Sequence, residues 1–257
     1  MEKAVQYEVS EGIARLTFNR SDKLNSFNEQ MHTEMLLALK DANKNPDVRC
    51  LIITGNGRAF SAGEDLDGVT EDMDHGEVIR KRYAPVMIQL SKMKMPVIAA
   101  VNGIAAGSGF SLALACDFRL MHEKAKLVQA FIHVGLIPDS GNLYYLPKLI
   151  GHAKALELAL FGEKINASQA LDLGLATRVV AGENWHDEVN QFADRLALMP
   201  TKAVGIIKQQ LQKSWEYPLE EFLDCESFSQ RIAGLTSDHQ EGVKAFREKR
   251  LPEFKGN

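Results

Sequence analysis

The chain has 257 residues, of which 45% are hydrophobic and 25% are charged, an ordinary balance for a globular protein of one large domain or of one domain with a helical appendage. Its formal net charge of −4 gives no reason to expect a nucleic acid or a membrane surface as a partner. The N-terminus lacks the apolar stretch of a signal peptide and no apolar run is long enough to span a bilayer, so we expect a cytoplasmic location. The three cysteines, Cys50, Cys116 and Cys225, are far apart and show no zinc spacing, which favours buried thiols over disulfides.

Strand and helix patterns alternate along the first half of the chain. Alternating apolar residues around Glu11-Gly12 predict a hairpin over residues 7–10 and 13–18. Apolar residues at helical spacing predict a helix over residues 28–43, and a second helical stretch covers residues 71–93. Apolar runs predict strands at residues 50–54 and 97–101. This order indicates an α/β fold that is not a clean Rossmann alternation.

Helices dominate the sequence from Ser140 onward. The first is expected to start at Ser140, and others are predicted over residues 153–161, 167–172, 185–198, 201–214, 218–234 and 237–249. The C-terminal third is therefore predicted to be a helical layer. Terminal helices with few internal partners suggest packing against another subunit.

A glycine-rich turn follows the predicted strand at residues 97–101. Gly103, Gly107 and Gly109 let the backbone turn sharply, and the helix that follows leaves its first N–H groups unpaired. Such a turn can hold a negatively charged oxygen. Two other interpretations are a tight packing turn and a dinucleotide loop, but the third glycine of the dinucleotide motif is absent because residue 112 is leucine.

A second glycine loop, residues 55–66, follows the predicted strand at residues 50–54. If the two loops meet at one end of a sheet, each can give one backbone N–H to the same oxygen. Two such donors form an oxyanion hole, which stabilises negative charge that develops during a reaction.

Asp139 lies in a third motif, Gly135-Leu-Ile-Pro-Asp-Ser-Gly141. It can be the N-cap of the helix expected at Ser140, or it can be a base beside apolar neighbours. Burial would raise the pKa of its carboxyl group and the helix dipole would lower it, and the sequence alone does not decide between these two effects.

The three loops together resemble the crotonase family of enoyl-CoA hydratases and isomerases. The similar stretches are Asn19-Arg20 with Leu24-Asn25, and residues 59–66, 96–117, 135–147, 170–175 and 241–250. The resemblance implies a spiral of ββα turns over residues 1–195, a helical trimerisation region over residues 196–257, and a homotrimer or hexamer. It also implies an acyl-CoA thioester substrate and no cofactor or metal, since coenzyme A is part of the substrate.

The resemblance assigns roles to particular residues. The thioester oxygen would be held by the backbone N–H groups of Glu64 and Ser108, whose side chains need no special role. Asp139 would be the catalytic residue. The residues implied to contact the substrate are Lys23, Leu24, Ala62, Asp65, Leu66, Phe131, Tyr144 and Lys249.

The chain departs from the typical hydratases of this family at both of their glutamate positions, which hold Ser111 and Phe131 here. Asp139 matches the aspartate of some isomerases, including dienoyl-CoA isomerases, and the pattern is most similar to the epoxide-type isomerases of the phenylacetate pathway. Because one carboxylate is enough for a 1,3-proton shift, the sequence predicts an isomerase. The alternatives are a hydratase in which Asp139 alone handles water, and a non-catalytic acyl-CoA binder in which Asp139 is only a helix cap.

Overall fold

Two β-sheets organise the computed structural model, which describes residues 3–257. The strands are β1 Val5–Ser10, β2 Ile13–Phe18, β3 Cys50–Gly55, β4 Ala59–Ser61, β5 Val97–Val101, β6 Ile104–Ala106, β7 Phe118–His122, β8 Lys126–Val128, β9 Lys164–Asn166 and β10 Arg178–Val180. The first sheet has the order β1-β2-β3-β5-β7-β10 and the second has the order β4-β6-β8-β9. Pairing is parallel except for β1 with β2 and β8 with β9.

The α-helices cover the sheets and fill the C-terminal part of the chain. They are α1 Glu29–Lys44, α2 His75–Val78, α3 Ala84–Ser91, α4 Ser108–Ala115, α5 Asn142–Ile150, α6 His152–Phe161, α7 Ala167–Asp172, α8 Trp185–Ala197, α9 Thr201–Lys213, α10 Leu219–Gly234 and α11 Ser237–Glu248. A π-helical turn, Ile79–Tyr83, joins α2 to α3.

Successive turns of the chain each give one strand to each sheet. β3, β5 and β7 lie side by side in the first sheet, and the strands that follow them, β4, β6 and β8, lie side by side in the second. Helical segments follow β4 and β6. The fold is therefore the spiral of ββα turns that the crotonase resemblance implies.

The main core lies between the sheets and the helices. Its largest side chains include Phe18, Phe27 and Phe60, with Phe18 in edge-to-face contact with the other two rings at 5.5 Å. A smaller apolar cluster covers the other face of the first sheet, where Trp185, Val189 and Ala193 of α8 pack against it. Burial of these apolar surfaces is the main force that holds sheets and helices together.

Most predicted elements are confirmed. The hairpin forms β1 and β2, and α1 begins after Asn28, whose side chain accepts a hydrogen bond from Met31 N. The helix expected from Ser140 begins instead at Asn142, because Ser140 and Gly141 both adopt positive φ values that a helix cannot use. The stretch predicted from residue 71 becomes helical only at His75.

The cysteine prediction is also confirmed, since all three thiols are free and Cys50 and Cys116 are buried. Among residues 3–257, no helix is long and apolar enough to cross a bilayer. The division between residues 1–195 and 196–257 stays a prediction.

Candidate active site

The loop after β4 presents the backbone of Glu64. Phe27 N donates to Gly63 O at 2.6 Å and Asp65 N donates to Phe27 O at 2.9 Å, which forms an isolated parallel bridge between Phe27 and Glu64. In a parallel bridge of this kind, the N–H of the central residue points away from its partner strand. The amide of Glu64 therefore points away from Phe27.

The loop after β6 presents the backbone of Ser108. Gly107 has a φ of +53° and donates its N–H to Val128 O at 3.0 Å, which fixes the turn into α4. Ser108 is buried and is the first residue of α4, so its N–H has no acceptor within the helix.

The two loops touch each other at Gly63. A Cβ atom at residue 63 would lie 2.9 Å from Ala106 O and 3.5 Å from Ser108 N, and the φ of +92° also favours glycine. The loops thus converge as the sequence predicts. This contact is what an oxyanion hole shared by Glu64 and Ser108 requires.

Asp139 is attached to the helix that begins at Ser108. Ser111 Oγ on α4 donates to the backbone carbonyl of Asp139 at 3.0 Å and accepts from Asn142 Nδ2 at 3.2 Å. Ser140 Oγ donates to Asp139 Oδ1 at 2.8 Å. The N-cap of α5 is Gly141, without a side-chain cap bond. The interpretation of Asp139 as the cap of that helix is therefore wrong.

Burial controls the protonation of Asp139. Its half-buried position raises the pKa of the carboxyl group, and this effect exceeds the opposing effects of the Ser140 hydrogen bond and the charge of His75. The direction is the one that burial was expected to give. A carboxylate with a raised pKa is a stronger base toward a weakly acidic carbon.

The side chain of Glu64 lies in the same site, a feature that sequence reasoning missed. Its carboxylate accepts a hydrogen bond from Tyr83 Oη and lies 3.8 Å from Arg82 Nη1. Tyr83 Oη also lies 3.1 Å from Ser108 Oγ. The only signal in the sequence for a role of this side chain was its place as an ionisable residue directly after Gly63. No local pattern indicates that Tyr83 contacts this loop.

Comparisons with known proteins agree with this geometry. A family profile described as enoyl-CoA hydratase/isomerase matches residues 8–257. The chain belongs to the enoyl-CoA hydratase/isomerase family. This family is enzymatic, and an acyl-CoA substrate is consistent with it.

Individual relatives of the family cover nearly the whole chain. The 1,2-epoxyphenylacetyl-CoA isomerase of Escherichia coli K12 is 42% identical over 96% of this chain and 97% of its own. The trans-2-decenoyl-[acyl-carrier-protein] isomerase of Streptococcus mutans is 34% identical over 99% of this chain and 98% of its own. The crystal structure of an enoyl-CoA hydratase from Bacillus anthracis superposes with a TM-score of 0.91 at 31% identity, covering 99% of this chain and 100% of that one.

Most of the implied substrate contacts of this enoyl-CoA hydratase/isomerase lie beside the Gly63 loop. Leu24 O accepts from Ala62 N at 3.0 Å, and Asp65 forms an ion pair with Arg20 at 2.7 Å. Lys23 forms an ion pair with Asp67 at 2.7 Å. Leu66, which follows Asp65, is exposed. These residues border the two converging loops.

The remaining predicted contacts divide into two groups. Phe131 is buried, and its ring lies 3.8 Å from where a Cβ at Gly107 would be, so it flanks the glycine loop. Tyr144 is 46% exposed and donates its hydroxyl to Glu216 Oε1 at 3.2 Å. Lys249 is an exposed residue at the end of α11. Their roles toward a substrate stay predictions.

Within residues 3–257, no cluster of three or more His, Cys, Asp or Glu side chains is placed to hold a metal ion.

Proposed function

We propose that this family member is an enoyl-CoA isomerase in which Asp139 is the base that removes a proton from the acyl chain. The observation that carries the proposal is the contact between the Gly63 and Gly107 loops, with Asp139 bound to the helix that the second loop begins. This geometry supports a site in which two backbone donors and one carboxylate act around α4.

The mechanism begins at the thioester oxygen. The N–H groups of Glu64 and Ser108 would hold that oxygen and stabilise the enolate formed when a proton leaves C2. One preorganised donor of this kind typically contributes about 3 kcal/mol to the stability of the transition state. Asp139 takes the C2 proton, and delivery of a proton to C4 completes the shift of the double bond from C3 to C2.

Isomerisation fits the site better than hydration by the typical pair of glutamates. Ser111 occupies one of those positions and uses its hydroxyl to bind the Asp139 carbonyl, and Phe131 occupies the other with an apolar ring. A hydratase remains the second candidate, because Glu64 adds a carboxyl group to the site that the sequence did not reveal.

We also propose a phenylacetate-type acyl group, on the likeness to the isomerase of Escherichia coli. A homotrimer or hexamer, no cofactor beyond the coenzyme A of the substrate, and a cytoplasmic location complete the proposal. The oligomer is supported by large apolar side chains that the single chain leaves exposed, among them Trp215, Leu219, Phe228 and Leu235. Light scattering of the purified protein would measure its mass, and a monomer would contradict this part.

The first experiment separates isomerase from hydratase. The protein is mixed with a 3-enoyl-CoA and, separately, with a 2-enoyl-CoA, and the absorbance of the conjugated thioester is followed. We expect absorbance to appear from the 3-enoyl thioester with little loss from the 2-enoyl thioester. Rapid loss from the 2-enoyl thioester would identify a hydratase.

The Asp139→Asn variant tests the base. We expect isomerisation to fall by about 100-fold or more, because a general base typically contributes that much, while CoA thioester binding is retained. Binding is measured by calorimetry with a saturated acyl-CoA that cannot react. Wild-type protein that binds but never turns over would identify a non-catalytic binder.

A further inference from the structure

The carboxyl group of Glu64 is held inside the site rather than pointing into solvent. Its side chain is 24% exposed, and it is bound by Tyr83, which is itself 4% exposed. Tyr83 bonds in turn to Ser108 Oγ at 3.1 Å. The hydrogen-bonded chain therefore joins the side chains of the two residues whose amides would hold the thioester oxygen.

The Glu64 carboxyl group is covalently linked to one of the two proposed oxyanion-hole donors. An oxyanion-hole donor lies about 3 Å from the oxygen that it holds. C2 of the substrate is two bonds from that oxygen, and the Glu64 carboxyl group is on the same residue as the donor. The carboxyl group therefore lies within one side-chain length of the amide that would hold the thioester oxygen, and its bond to Tyr83 keeps it on the side of Ser108.

Opposing effects set the pKa of the Glu64 carboxyl group. Burial raises the pKa of the Glu64 carboxyl group, the hydrogen bond from Tyr83 and the charge of Arg82 lower it, and the charges of Asp139 and Asp65 raise it, with a net increase. The Asp139 charge is among the effects that raise the pKa of both Glu64 and Tyr83, so an ionised Asp139 favours a protonated Glu64.

We infer that Glu64 is a second catalytic residue, the acid that delivers the proton to C4 after Asp139 has removed the proton from C2. This inference rests on the proposed isomerase function.

The proton balance of the cycle is closed by water. The Asp139 carboxylate takes H⁺ from C2 and becomes a carboxylic acid, while the C2–H electron pair forms the dienolate. The Glu64 carboxylic acid gives its proton to C4 of the dienolate and becomes a carboxylate, and the double bond forms between C2 and C3. Asp139 then releases a proton to water, and Glu64 takes one from water.

The test compares Glu64→Gln with wild type in D₂O, using a 3-enoyl-CoA. Two rates are followed by NMR: exchange of the C2 hydrogens for deuterium, and formation of the 2-enoyl product. In the variant we expect exchange within about 3-fold of wild type and isomerisation lower by about 100-fold, the usual contribution of a general acid. Isomerisation by wild type should also fall as the pH rises through the raised pKa of Glu64, and the residual activity of the variant should not show that fall.

The matched control is Glu29→Gln. Glu29 also pairs with Arg82, at 3.2 Å, but its side chain is 77% exposed and lies outside the hydrogen-bonded chain. This variant should keep both rates and the pH profile of wild type.

Two results would overturn the inference. Isomerisation by Glu64→Gln within 3-fold of wild type would mean that one carboxylate moves both protons. Exchange and isomerisation falling together would mean that the side chain only supports the loop. Because both rates come from one sample, partial misfolding does not alter their ratio. Failure of the proposed function looks different, since wild type would then neither exchange nor isomerise.

Discussion

His32 is a buried titratable residue that packs against Tyr83, the hydrogen-bond partner of Glu64. Its imidazole contacts the Tyr83 ring at 4.2 Å between centroids, and it is 4% exposed. Among the described residues, neither of its ring nitrogens has a hydrogen-bond partner. Burial, assisted by the charge of Arg82, lowers its pKa from 6.5 to about 4. The folded protein therefore holds this histidine neutral.

Acid should destabilise the protein through His32. The unfolded chain binds the proton near pH 6.5 and the folded chain only near pH 4, so stability is lost as the pH falls through this window. The shift corresponds to about 3 kcal/mol. Urea unfolding at pH 7 and pH 4.5 should show a smaller loss for His32→Phe than for wild type. Equal losses in both proteins would contradict the assignment, and His239→Phe, at an exposed histidine, is the control.

At the scale of single residues, the sequence predicted those site residues that stand in short local motifs. Asp139, Gly63 and Gly107 stand in short motifs whose geometry follows from their own residue types. The Glu64–Tyr83 bond joins residues 19 positions apart and depends on how a helical segment docks, which no local pattern encodes. From the sequence, Ser111 was notable only because it replaces a glutamate of the typical hydratases. In the structure its hydroxyl donates to the Asp139 backbone carbonyl.

At the scale of elements, α4 is held at its C-terminal end by one buried cation. Arg119 Nη1 donates to Cys116 O at 2.7 Å and makes longer contacts of 3.4 Å with Ala113 O and Leu114 O. Its Nε donates to Leu175 O at 2.6 Å. The guanidinium thus satisfies carbonyls that the helix leaves unpaired and complements the negative end of the helix dipole.

Arg119→Lys should destabilise the fold because an ammonium group cannot reproduce the planar fork of donors. We expect a loss of about 2 kcal/mol in the free energy of unfolding, from buried carbonyls left unsatisfied. Chemical denaturation measures this loss. The control is Arg80→Lys, since the Arg80 side chain is 72% exposed in its ion pair with Glu77 and the change should alter stability by less than about 0.5 kcal/mol. Equal effects of the two changes would refute the role of Arg119.

Elements with a clear period were predicted better than short ones. The hairpin and the amphipathic helices α1 and α9 carry enough residues to show a period of two or of 3.6. Strands β4, β6, β8, β9 and β10 have three residues each and show no period. Their existence depends on pairing between successive turns of the spiral, which is tertiary information.

At the scale of the whole molecule, the C-terminal tail ties the helical region to the N-terminal half. The buried carboxylate of Asp238 accepts hydrogen bonds from Lys255 N at 2.6 Å and Gly256 N at 2.8 Å. Arg49, just before β3, bonds to Phe254 O at 3.3 Å and to Thr201 Oγ1. The residues after α11 are therefore anchored to both halves of the chain.

Asp238→Asn should release this tail. The change replaces one of the two accepting oxygens by an NH₂ group, which cannot accept from a backbone N–H, so we expect a loss of about 1–3 kcal/mol, the usual cost of a broken buried charged hydrogen bond. Carboxypeptidase should also trim the variant faster than wild type. Asp224→Asn, at an exposed residue of α10, is the control for the charge change. Unchanged trimming in the Asp238 variant would contradict the anchoring role.

The hydroxyl of Ser111 has a consequence for how new activities arise in this family. A glutamate at residue 111 would supply an acid of the hydratase type but would remove the donor that fixes the Asp139 carbonyl on α4. One substitution would then introduce half of one catalytic pair while weakening the position of the other catalytic residue. A change from isomerase to hydratase would therefore also require a rebuilt turn at residues 135–141. The two activities are thus separated by coupled substitutions rather than by a single one.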